Sequence, residues 1–282
     1  MSSNNLILNR FFTQYVFSEL TSHHNNKIYN SIIEQYFKNE NLRTNSQIIT
    51  KIYDYMGEHY RNEYFYLNTL FNNILLGRHS LNTTTALTQI PIGKSKADFV
   101  LINGKAIVYE IKTELDTFER LESQINDYYK AFDHVYVVTC EQNQEKLEKL
   151  LANTSVGICI LTKNKRLQFP KEAVEYKGMM THEALFKVLH KNEFVNIILK
   201  YHKKIPDVLP FFFYEECLRY FRKIPLDEAY VLVLKQLKKR NQALREYFSL
   251  VPYELKSLLY FYNAKERDYI ALQSFLNCEY RG

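Results

Sequence analysis

The sequence predicts an α/β fold: a sheet of mixed strand direction flanked on both sides in sequence by helices. Three observations predict it. Short apolar runs rich in β-branched residues alternate with helical patterns between about residues 84 and 170. Outside that stretch the apolar residues recur at three- and four-residue steps. Only 7 Gly and 6 Pro occur in 282 residues, which favours long regular elements over loops.

The elements follow in order. Residues 1–56 read as irregular helix, interrupted by the polar "TSHHNNK" and "KNENLRTNS". A helix is expected over about 57–76, with Tyr60, Tyr64, Leu67, Leu70, Phe71 and Ile74 as a buried stripe and Glu63 on that stripe. Strands then follow at "TALTQIPI", "ADFVLI" and "AIVYEIKT". A helix starting at "TELDTFERLESQINDYYKAF" has Asp116 as its expected N-cap and Glu119 three residues on. "HVYVVTC", the helix "QEKLEKLLA" and "VGICIL" complete the sheet region. After Pro170 the pattern is helical, in "THEALFKVLHKNEFVNIILKYH", "FYEECLRYFRK", "EAYVLVLKQLKKRNQALREYF" and "PYELKSLLYFY". The expected organisation is therefore an N-terminal helical region (1–56), an α/β core (57–170) and a C-terminal helical region (171–282). "VLPFFFY" reads as a core segment after a proline turn, and "KQLKKR" and "YHKKIP" as solvated helix faces.

Bulk properties narrow the function classes. With 46% hydrophobic residues, among them 23 Tyr and 19 Phe, the chain can bury a sizeable core. A net charge of +6 permits a polyanionic partner without requiring one. The four cysteines are dispersed and form no C-x-x-C pair, which speaks for reduced thiols and against a zinc site. No apolar run has the length of a membrane span, and the first residues lack a secretory pattern, so a cytoplasmic, soluble protein is expected. No phosphate-cradling glycine loop or G-x-S-x-G elbow is present, which removes support for NTPase and serine hydrolase readings.

The stretch "ADFVLINGKAIVYEIKTELD", residues 97–116, sets charges into an apolar hairpin. Asn103-Gly104 favours a tight turn. With an odd-length loop and a left-handed Gly104, Asp98 falls opposite Glu110 and Lys112 shares their face. Only this register leaves the other face wholly apolar: Ala97, Phe99, Leu101, Ile107, Tyr109 and Ile111. Two adjacent carboxylates repel, so removing one is expected to leave the metal-free fold as stable or more so. Paired hard oxygen ligands suit Mg²⁺ or Mn²⁺. Lys112 would then orient or deprotonate a water, or neutralise a phosphate. The bland reading of the same charges is a structural ion-pair cluster at a sheet edge. Gln124 and Tyr128, four apart, share a face of the following helix, which can reach the charged end.

Asp98, eleven residues, then Glu110-Ile111-Lys112 resembles the D…(D/E)-x-K signature of the PD-(D/E)XK nuclease superfamily. "QINDY", Gln124 to Tyr128, resembles the Q-x-x-x-Y motif of its RecB-type branch, and the stretch around both is similar to an uncharacterised bacterial and phage family within it. Ala97 stands where the signature has Pro. The resemblance implies a restriction-endonuclease-like αβββαβ core and a Mg²⁺- or Mn²⁺-dependent nuclease acting on nucleic acid, DNA first. It implies metal ligation by Asp98, Glu110 and Glu63, with Glu58 as competitor for the helical carboxylate. Lys112 and Gln124 would act in catalysis and Tyr128 in substrate positioning. A role in defence against phage or foreign DNA, and a protein partner or homo-oligomer through the flanking helices, are further expectations. The rival is a non-catalytic nucleic-acid- or partner-binding module on the same fold.

Overall fold

The structure is a computed structural model that describes residues 3–38, 40, 43–240 and 245–280. In chain order the helices and strands are α1 (Leu8–Phe11), α2 (Gln14–His23), α3 (Lys27–Tyr36), α4 (Asn45–His59), α5 (Glu63–Leu70), β1 (Thr85–Ile92), β2 (Ser95–Asn103) and β3 (Lys105–Ile111). They continue with α6 (Leu121–Tyr128), β4 (His134–Cys140), α7 (Gln144–Leu151), β5 (Gly157–Leu161) and β6 (Leu167–Lys171). The last helices are α8 (His182–Lys187), α9 (Lys191–His202), α10 (Phe213–Phe221), α11 (Leu226–Leu237), α12 (Arg245–Phe248), α13 (Lys256–Tyr262) and α14 (Glu266–Asn277). The protein is thus α/β with a six-stranded mixed sheet. Among the described residues no helix is long and apolar enough to cross a membrane. The part of the expected C-terminal helix over 241–244 lies outside the described residues.

The chain divides into two compact units, at other places than 56 and 170. One comprises residues 1–78, 163–165 and 242–282; the other comprises 79–162 and 166–241. Pro170 marks no boundary. It sits in β6 at the edge of the sheet, where a missing N–H costs no ladder bond.

The first unit joins the two ends of the chain. Buried Asn45 donates from Nδ2 to the carbonyls of Phe275 (3.0 Å) and Cys278 (3.3 Å) and accepts from the Tyr29 hydroxyl (2.8 Å). Buried Asn68 likewise donates to Tyr253 O and accepts from Ser257 N–H. The helix expected over 57–76 is broken. α4 ends at His59, Asn62 Oδ1 caps a new helix by accepting from Phe65 N–H (3.1 Å), and Phe71–Leu76 continue as a π-helix. The buried set on α5 is consequently Phe65, Tyr66, Asn68, Thr69 and Leu70, with Tyr60, Tyr64 and Leu67 only half-buried.

In the second unit the strand order is β1-β2-β3-β4-β5-β6. β1–β2–β3 form an antiparallel meander, β3, β4 and β5 run parallel, and β6 returns antiparallel. α6 is the crossover between the parallel strands β3 and β4. Val100, Val108, Val135, Val137, Ile158 and Ile160 form one apolar core with α6 and with α8–α11. The helices after Pro170 therefore share the core of the sheet. "VLPFFFY" is not core: Leu209 is 70% and Phe211 87% exposed. Its neighbours Cys217, Leu218 and Phe221 take the buried face of α10 instead.

α6 is anchored to the β1–β2 turn. Asp127 accepts from Lys94 N–H (3.0 Å), Ser95 Oγ (2.9 Å) and Lys130 Nζ (2.7 Å). Gly93 takes φ +61°, and a Cβ there would lie 2.4 Å from Asp127 Oδ1, so turn and carboxylate fit only with glycine. Burial alone would raise the Asp127 carboxyl, but the bonds from Lys130, Ser95 and Lys94 N–H hold it below its ordinary value. A folded-state pKa depressed in this way stabilises the fold above the unfolded value, and that stability is lost as pH falls through the folded one. Asp127→Asn is therefore expected to cost about 1–3 kcal/mol near neutrality. Urea unfolding should show the difference from wild type shrinking below about pH 4.

Candidate functional site

The β2–β3 hairpin has the register predicted from its apolar face. Phe99 pairs with Tyr109, Leu101 with Ile107 and Asn103 with Lys105, leaving Gly104 alone in the turn at φ +77°. Continued outward, this register sets Asp98 across from Glu110. Both share the α6 side of the sheet with Val100 and Val108, and Lys112 follows two residues on. The apolar face is equally well formed: Tyr109 stacks on Tyr136 with ring centroids 5.3 Å apart and contacts Phe99.

Glu110 is 1% exposed and is closed in by donors. Its Oε1 accepts from Lys112 Nζ (2.8 Å) and Gln124 Nε2 (2.5 Å), and its Oε2 from the Tyr128 hydroxyl (2.5 Å). Lys112 Nζ also donates to Gln124 Oε1 at 2.9 Å. The four side chains form one network, with Gln124 and Tyr128 on one face of α6 as their spacing predicts. Burial pushes the Tyr128 phenol up, helped by the charges of Glu110 and Asp98, so it stays a neutral donor.

Asp98 is half-buried. Its Oδ2 accepts from Ile111 N–H at 2.8 Å, while Gln89 Nε2 stands 3.5 Å from Oδ1. Gln89 was not expected here. It interrupts the β1–β2 ladder between Thr88 and Ile90 with φ +54°, a conformation that costs a non-glycine residue about 1–2 kcal/mol. A glutamine inside an apolar strand run gave no signal of this beyond its polarity.

Two other expectations change. Asp116 is not the helix cap: its Oδ2 accepts from Thr113 N–H (2.8 Å) and Oγ1 (2.7 Å), closing a turn after β3, and α6 begins only at Leu121. A short polar side chain beside its own backbone competes with helix initiation in this way. Glu63 is not on a buried stripe. It is exposed in the first turn of α5, where a negative charge favours the helix N-terminus, and it belongs to the first unit. Glu58, its competitor, is exposed in the same unit, 3.7 Å from His59.

The donor set that would hold an ion is thus Asp98 and Glu110, both hard carboxylates. That chemistry fits Mg²⁺ or Mn²⁺, which take one or two carboxylates and fill the remaining positions with water and phosphate. Among the described residues no group of three or more His, Cys, Asp or Glu stands together as a metal cluster. A cleft of about 520 Å³ lies on the other side of α6, between Ile125, Tyr129, Leu151 and Met179, and includes none of these groups. The convergence of charged groups favours the hairpin over that cleft.

Comparison with known proteins gives one broad match. Residues 56–257 match the family described as bacteriophage P4 protein cII. No curated protein matches the chain. A solved structure, SfsA of Pyrococcus furiosus in complex with Ca²⁺, is similar at 13% identity with a TM-score of 0.22. The match covers 45% of this chain and spans 63% of the length of that one, a likeness too low to bear on fold or chemistry.

The network reverses the expectation that losing a carboxylate relieves repulsion. Glu110→Ala leaves the buried Lys112 without its counter-charge and is expected to cost about 3–5 kcal/mol. Asp98→Ala removes the acceptor of Ile111 N–H and Gln89 Nε2 at a half-buried position and should cost about 1–2 kcal/mol. Urea unfolding of the two variants without divalent ions checks the order.

Proposed function

The chain belongs to the bacteriophage P4 protein cII family, and we propose that its hairpin site makes it a metal-dependent nuclease of the PD-(D/E)XK type, acting on DNA. The observation that carries the reading is the juxtaposition of Asp98 with Glu110 at the open end of the hairpin, with Lys112 and Gln124 bonded to Glu110. The order helix, β1–β2–β3, α6, β4 supports it, since it follows the αβββαβ order of that superfamily. The site also lies toward the carboxyl end of the parallel strand β3, where open α/β sheets receive ligands.

In this reading Asp98 and Glu110 would hold Mg²⁺ or Mn²⁺. The ion supplies Lewis acidity to the phosphodiester and to water. The chain's own groups do the rest. Lys112, fixed between Glu110 and Gln124, presents Nζ protons to a phosphate oxygen whose charge grows as water adds to phosphorus and the ester P–O bond breaks. Gln124 keeps Lys112 and Glu110 in register, and Tyr128 fixes the Glu110 carboxylate through Oε2. A role in defence against phage or foreign DNA is in keeping with this reading, as is a partner bound through the flanking helices.

One observation favours the rival, a binding module without catalysis: every donor contact that Glu110 makes is already internal, as in a structural ion pair. Lys112→Ala separates the two. A nuclease should lose cleavage by at least about 100-fold while keeping DNA affinity, because the lysine acts mainly on the transition state. A wild type that binds DNA in Mn²⁺ and cuts no DNA or RNA supplied would favour the binding module. Cleavage of labelled single-stranded, duplex and RNA substrates by wild type and variant is the measurement.

A further inference from the structure

Gln89 holds φ +54° in the middle of β1, where no turn requires it. The register of β1 against β2 is the same on both sides of it: Thr88 pairs with Phe99 and Ile90 with Ala97. No residue is inserted, so Gln89 stands across from Asp98. The β2–β3 register sets Asp98 in turn across from Glu110. Gln89, Asp98 and Glu110 thus form one row over three neighbouring strands, and side chains in such a row are neighbours. Gln89 Nε2 stands 3.5 Å from Asp98 Oδ1, while Asp98 Oδ2 accepts from Ile111 N–H at 2.8 Å.

The left-handed backbone has a structural use. Leu87 and Ile90, three residues apart, both join the apolar core of the second unit, although strict alternation would turn them to opposite faces. A left-handed residue between them resets the alternation. Glycine serves that purpose without strain and asparagine with little, whereas glutamine carries the full cost of its Cβ. The Gln89 side chain is exposed and lies outside that core. The backbone requirement therefore accounts for the conformation but not for the choice of glutamine. Strain kept at an exposed polar residue beside a site points to its side chain.

We propose that Gln89 is a positioning residue of the hairpin site, its carboxamide N–H holding one oxygen of Asp98 while the Ile111 N–H holds the other. A carboxylate bonded through one oxygen turns about its Cβ–Cγ bond; donors on both oxygens fix its plane. Asp98 is half-buried and has no counterpart to the donors that enclose Glu110 from α6, so β1 supplies the second constraint. Groups that would take an ion must be held to within about 0.5 Å, and partners that orient such a carboxylate change metal affinity or activity by about 10–100-fold. The proposal rests on the nuclease reading for the reaction it serves. The orientation of Asp98 by Gln89 is independent of cleavage.

The test uses the full chain and two variants. Gln89→Gly keeps the backbone conformation and removes the carboxamide; Gln89→Met keeps the length and the Cβ without an N–H. In EDTA the urea midpoint of Gln89→Gly should hold or rise as strain is relieved, and rise further in an Asp98→Ala background, where no bond to Asp98 is lost. Calorimetric titration should show Mn²⁺ affinity weakened by about 10-fold in both variants, with the kcat of DNA cleavage lowered at least as much and KM little changed. Unchanged Mn²⁺ affinity in Gln89→Gly overturns the proposal, as does a loss there that Gln89→Met does not share. A lower urea midpoint in Gln89→Gly overturns it too, since the side chain would then be structural. A wild type that cuts nothing, with Mn²⁺ affinity weakened in both variants, ends the nuclease reading and supports this one; a wild type that cuts no better than the two variants does the reverse. Absence of Mn²⁺ binding by wild type overturns both.

Discussion

Burying a carboxylate is costly unless its lone pairs face donors, and the second unit is arranged around meeting that requirement for Glu110. The donors come from two places: Lys112 from its own strand, and Gln124 and Tyr128 from α6. The register of β2 against β3 fixes the strand side, and the docking of α6 fixes the other. Asp127, bonded to the turn before β2 at Lys94 and Ser95, holds α6 at the same end of the meander as Glu110. Turn, hairpin and helix are therefore tied to one buried charge, and a slip in any of them would leave that charge exposed to an apolar core.

The same arrangement limits the chemistry. Both carboxylate oxygens of Glu110 are engaged by donors within the protein. Glu110 Oε2 is held by the Tyr128 phenol, which burial keeps protonated, so Asp98 and Glu110 would hold an ion only in competition with that bond. Lys112 and Gln124 are fixed against Glu110 by these bonds. The left-handed Gln89 beside Asp98 adds a strained residue at the same place, where conformational strain commonly accompanies function.

The hairpin was legible because a period-two pattern leaves few registers: one apolar face and a glycine turn select the pairing of Asp98 with Glu110. Gln124 and Tyr128 were legible from their four-residue spacing. Glu63 was misplaced because the apolar periodicity runs on through Tyr60–Asn62, while Asn62 offers a cap that restarts the helix and rotates its buried face. The first unit, built from both ends of the chain, rests on contacts such as Asn45 with Phe275, over a separation that no local pattern records. "VLPFFFY" shows a further limit, because composition marks a segment as apolar without saying whether the protein or a partner covers it.

The central claim is that Asp98 and Glu110 together form a divalent-cation site. Calorimetric titration of Mn²⁺ into wild type and Asp98→Ala tests it most directly, since Asp98→Ala leaves the Glu110 network in place. The account predicts binding by wild type that Asp98→Ala abolishes. Unchanged Mn²⁺ affinity in Asp98→Ala, or no binding by wild type at millimolar ion, would contradict it.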